Sequence, residues 1–142
     1  MKRKFLQYAF VVYEFIAMLM NIPICFAMCM PGGEIGNDMV ILFTILLVHN
    51  AITMWLLPKI TLKPYWTNVI LALALPSMAF FVYVGIDRIW GTHNTNELLS
   101  GIVIALYALL VIACRIMKRI IAFRCYRARE IHGGIHQSRK RL

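Results

Sequence analysis

The stretch LLVHNAITMWLL, Leu46 to Leu57, decides the fold. Apart from His49, Asn50 and Thr53 it is apolar around its whole circumference, as a helix in lipid is and a surface helix of a soluble bundle is not. Followed back to Asp38, the segment is long enough to cross a hydrocarbon core of about 30 Å at about 1.5 Å per residue. Three further runs share this property, so spans are predicted at about 5–30, 38–57, 65–86 and 98–117. The composition agrees: 61% of the 142 residues are hydrophobic and only 15% charged.

The fold class that follows is an all-α membrane protein. Its four transmembrane helices form two antiparallel hairpins over residues 1–118, followed by a basic amphipathic cytoplasmic tail over 119–142. The first hairpin turns through MPGGEIGND, where Pro31, Gly32, Gly33 and Gly36 permit reversal and Asn37 or Asp38 caps the next helix. PKITLKP joins the second and third spans, with Trp55, Tyr65 and Trp66 as interfacial anchors, and a connection this short places antiparallel neighbours side by side. Pro76, inside span three, removes a backbone donor and predicts a kink. In the last connection Asn94 or Asn96 is available to start span four. The opening MKRKFLQYAFVVYEF has the basic start of a signal peptide, but its apolar run is too long and carries Glu14, so it is expected to remain as span one.

Charge placement gives the orientation. Lys2, Arg3 and Lys4 precede span one, Lys59 and Lys63 lie between spans two and three, and nine more cations run from Arg115 to Arg141. Only Arg88 lies on the other side. The positive-inside rule therefore predicts both termini in the cytoplasm, with a bacterial inner membrane as the expected setting. The net charge of +9 is accounted for by this topology and implies no nucleic-acid partner. RIMKRIIAFRCYRAREI continues span four as a basic amphipathic stretch, so Arg115, Lys118, Arg119, Arg124, Arg127 and Arg129 are expected to contact anionic lipid headgroups as the chain bends onto the leaflet.

The polar residues within the spans are the candidate site. Counted from the cytoplasmic edge, Glu14 and His49 both lie about 12–13 Å deep, so adjacent antiparallel helices would bring them level. Glu14, Ala17 or Met18, Asn21 and Cys25 share one face of the first helix, as His49 and Thr53 do on the second. The predicted intramembrane constellation is Glu14, Asn21, His49, Asn50 and Thr53. It serves either as a proton-exchanging site or as hydrogen-bonding glue between helices. In helix count and Glu14 the chain is similar to small multidrug-resistance transporters, but FIAMLMN does not continue that pattern. PGGEIG similarly has the turn spacing of holin-like proteins, from which Asn37 and Asp38 depart.

No metal or cofactor is implied. Cys25, Cys29, Cys114 and Cys125 form no C-x-x-C, and HGGIH (His132, His136) lacks a completing ligand and reads as part of a flexible tail. Neither a nucleotide-binding glycine loop nor a nucleophile with a base at readable spacing is present, so an enzyme is not expected. Two functional expectations remain. One is a protein that binds other membrane proteins, in an accessory, assembly or immunity-type role, or binds a second copy of itself. The other is an oligomeric proton-coupled transporter or channel using Glu14 and His49.

Overall fold

The computed structural model describes residues 2–29, 37–91 and 94–139, and the side chains of 4–29, 40–91 and 94–131. The chain is all-helical: α1 Lys2–Cys29, α2 Asn37–Ile60, α3 Pro64–Gly91 and α4 Thr95–Arg139. All four are long and apolar enough to cross a membrane, which makes this a multi-pass integral membrane protein by length and composition. The turn through Pro31, Gly32, Gly33 and Gly36, the side chains of Asn37 and Asp38, and those of His132 and His136 lie outside the described residues.

The inward faces follow a 3–4 spacing. On α1 it runs Val11, Glu14, Met18, Asn21, Cys25 and Met28; on α4 it runs Gly101, Ile104, Ala108, Val111, Arg115, Lys118 and Ala122. Such a seam keeps one stripe of each helix turned to its neighbours. Where α3 meets α4 the stripe is built of small residues. A Cβ at Gly85 would lie 2.8 Å from the Gly101 carbonyl oxygen and 2.9 Å from the Ala105 Cβ, so only glycine allows the two backbones this close. Tyr107, Ile104, Met78, Phe81 and Cys25 fill the core beside this crossing.

Packing order differs from chain order. α4 touches all three other helices, and α3 makes its most extensive contact with α4, whereas α2 and α3 make no close backbone approach among the described residues. The short PKITLKP connection therefore does not place its two helices side by side. The turn between them is held closely. Thr61 adopts a left-handed conformation (φ 52°) and its N–H bonds the Leu57 carbonyl oxygen at 3.1 Å, while Leu62 is buried and Pro64 opens α3 where no N–H is needed. The Gln7 side chain of α1 donates to the Ile60 and Thr61 carbonyl oxygens, and Arg129 of α4 donates to the Thr61 hydroxyl. α1 and α4 thus both hold the turn, and Leu57, Leu62 and Ala122 pack in one cluster beside it.

Other ends are fastened in similar ways. Asn94 caps α4, its side-chain oxygen accepting from the Asn96 N–H at 3.1 Å. Arg88 donates to the Cys29 carbonyl oxygen at the end of α1 and to the Ser100 hydroxyl. α3 runs unbroken through Pro76. α4 likewise does not break after the apolar span: it continues through Gly133 and Gly134 to Arg139, where the sequence reading places a bend and a flexible tail. Helix formers such as Arg127, Ala128, Arg129 and Glu130 oppose the two glycines, each of which costs about 1 kcal/mol in a helix.

Candidate functional site

Glu14 is the one charged residue of the inward α1 stripe, and it is only 2% exposed. Two cations of α4 meet it. Arg115 donates to Oε2, and Lys118 Nζ lies 3.1 Å from Oε1 and 3.2 Å from Oε2. Both cations are 4% exposed. This corrects the sequence reading, which placed Arg115 and Lys118 among lipid headgroups: the two are one turn apart on the inward stripe of α4 and point at the carboxylate. A carboxylate withdrawn from water needs compensating charge, and α4 supplies it twice over.

His49 completes the cluster from α2. Its Nε2 lies 3.7 Å from Glu14 Oε1, and its Nδ1 is 2.6 Å from the Tyr13 hydroxyl. When the hydroxyl donates to Nδ1, the neutral ring carries its proton on Nε2, which faces Glu14 from just beyond hydrogen-bond reach. That Nε2 is buried and has no hydrogen-bond partner among the described residues. Tyr13 is half exposed, so the line Tyr13, His49, Glu14 leads from the outer surface of α1 and α2 to the interior cations.

The remaining predicted polar residues do other work. Asn21 accepts a 2.6 Å hydrogen bond from the Tyr107 hydroxyl and donates to the Ala17 carbonyl oxygen, so it joins α1 to α4 about two turns from Glu14. Asn50 donates to the Leu46 carbonyl oxygen, and Thr53 donates within its own helix to those of His49 and Asn50. They are buried on α2 but do not join the ion cluster. Of the predicted constellation, then, Glu14 and His49 come together while Asn21, Asn50 and Thr53 satisfy themselves elsewhere. Sequence reasoning gave Arg115 and Lys118 to the lipid headgroups and did not single out Tyr107 or Tyr13. The first three lie on the 3–4 stripe of α4 or beside it, and that spacing is the signal that could have found them.

Arg119, Arg124, Arg127 and Arg129 are exposed. Arg119 reaches Asn68 of α3 at 2.6 Å, and Arg124 and Arg127 flank Ile120, Phe123 and Ile131 along one face of α4. Among the described residues no group of three or more His, Cys, Asp or Glu side chains is arranged to hold a metal ion. No family model matches the sequence, and comparison with curated proteins and with solved structures likewise gives no match.

Proposed function

We propose that this chain is a bacterial inner-membrane protein, with both termini cytoplasmic, that acts without catalysis by binding another membrane protein through the outward face of α2. The observation that carries this reading is a seam on that face: Ile41, Ile45, Val48, Ile52 and Trp55 repeat at 3–4 spacing and are all more than half exposed. α2 is also the least buried of the four helices. Four of those five residues are β-branched and hold few rotamers, so packing a second helix against them orders little that is not already ordered. Fourteen of the fifteen cations on the predicted cytoplasmic side support the orientation. Exposed Arg124 and Arg127 beside Ile120 and Phe123 suit an anionic leaflet.

The test is site-specific photocrosslinking in native membranes. A crosslinker at Val48 or Ile52 is expected to give one discrete protein adduct, and one at exposed Tyr83 of α3 is not. Adducts to lipid alone from both helices would overturn the reading, and an adduct of twice the chain's mass would identify the partner as a second copy.

A second reading, a proton-coupled carrier or channel assembled from several copies, is favoured by one observation: His49 Nε2 stands 3.7 Å from Glu14 Oε1 with no hydrogen-bond partner among the described residues. In liposomes carrying a pH-sensitive dye, proton uptake after a pH jump should then be lost in Glu14→Gln and in His49→Ala. Equal uptake in wild type and both variants would dismiss it.

A further inference from the structure

The charge count of the buried cluster does not close. Arg115 and Lys118 bring two positive charges to one carboxylate, and His49 adds no negative charge in any protonation state. Among the described residues Glu14 is also the one acid that lies near them. Asp87 and Glu97 belong to the opposite ends of α3 and α4, where Arg88 meets Ser100, and Glu130 is exposed and twelve residues, about 18 Å, further along α4. Donor capacity is in excess as well: an ammonium and a guanidinium carry eight N–H groups between them, against a carboxylate with about four acceptor sites.

Beside the cluster lies a cavity of ≈ 10 Å³, room for the centre of a single water-sized sphere. Arg115, Lys118 and Glu14 line it, with Thr67 and the apolar side chains of Phe10, Leu57, Leu62 and Ile70. The Thr67 hydroxyl donates to the Pro64 carbonyl oxygen and is not available as a donor to an occupant. The polar donors of this wall are therefore the two cations; the Glu14 carboxylate and the Thr67 hydroxyl also line it, and the rest is hydrocarbon.

We propose that this cavity is a binding site for one small monovalent inorganic anion of the size of chloride. A single negative charge there neutralises the surplus cation and takes up N–H groups that Glu14 leaves over. A divalent oxyanion overshoots the single surplus charge. The site draws on Arg115, Lys118 and the cavity, not on the α2 face, so it stands or falls independently of partner binding.

The experiment is thermal unfolding of the purified full-length protein in mild detergent, with sodium chloride compared with sodium gluconate at equal ionic strength. Chloride and bromide are expected to raise the midpoint by about 5 °C or more at saturation, with a hyperbolic dependence on concentration, and sulfate is not. Lys118→Met keeps the Glu14–Arg115 pair and removes the surplus charge, so its chloride shift should vanish. Arg119→Gln removes an exposed cation and should keep it. Glu14→Gln raises the surplus and should enlarge the shift, and if that variant does not fold, Lys118→Met decides alone. Equal wild-type midpoints in chloride and gluconate, or an undiminished shift in Lys118→Met, would overturn the assignment.

Discussion

Replacing Glu14 by Gln tests the ion cluster most directly, because the side chain keeps its shape and loses only its charge. Arg115 and Lys118 would then be two cations, each 4% exposed, with no carboxylate beside them. Breaking a buried ion pair by removing one partner costs about 3–5 kcal/mol. Unfolded helices stay in lipid or detergent, where stranded polar groups find substitute partners, and this places the expected loss near the lower figure, about 3 kcal/mol. For a chain of this length that lowers the unfolding midpoint by roughly 6–12 °C. Lys118→Met behaves differently: Arg115 still answers Glu14 and an ammonium is exchanged for a thioether of similar length, so stability should stay within about 1.5 kcal/mol of wild type. Combining the two changes leaves one stranded cation instead of two, so the double variant should be more stable than Glu14→Gln alone, by at least about 1 kcal/mol. Unfolding in mixed detergent followed by helical circular dichroism, at one fixed chloride concentration, measures all four proteins. A wild-type midpoint for Glu14→Gln, or a double variant no better than Glu14→Gln, would refute the view that α1 and α4 are held by charge at this point.

Other sites give independent checks. Gly85→Ala would put a Cβ 2.8 Å from the Gly101 carbonyl oxygen and should cost about 1–3 kcal/mol by forcing α3 from α4, read as a lower midpoint in the same assay. Tyr107→Phe deletes the 2.6 Å hydrogen bond to Asn21 and should cost about 1 kcal/mol, with Asn21→Ala adding less in the Tyr107→Phe background than it does alone. Asn94→Ala removes the cap of α4 and should cost about 1 kcal/mol, seen as faster amide exchange confined to the first turn after Thr95.

How much of this was legible varies by residue. The four helices could be read because lipid leaves no choice: each apolar run must satisfy its own backbone. Glu14 and His49 could be read as a pair because their depths match. Arg115 and Lys118 were hidden by a rule that is usually right, since cations after a last span commonly mark the cytoplasmic surface. Here α4 continues beyond the apolar run, and its inward stripe carries from Val111 to Arg115, Lys118 and Ala122 without changing spacing. Spacing and chemistry point in opposite directions at those two positions, and burial follows the spacing. The separation of α2 from α3 was not legible either. It goes with a turn that Gln7 and Arg129 contact from helices far away in sequence, long-range contacts that no local pattern announces.

The distance along the chain between Glu14 and its partners has a consequence for how the protein is made. Arg115 follows Glu14 by 101 positions. At ribosomal speeds of about 5–20 residues per second, α1 emerges some 5 to 20 s before the guanidinium that will answer its carboxylate has been synthesised. During that interval the first helix must wait with its acid hydrated at the membrane edge, protonated, or sheltered by the insertion machinery. A nascent chain halted before Arg115 would keep α1 in that unfinished state, and completion of α4 is the event that lets the first helix settle.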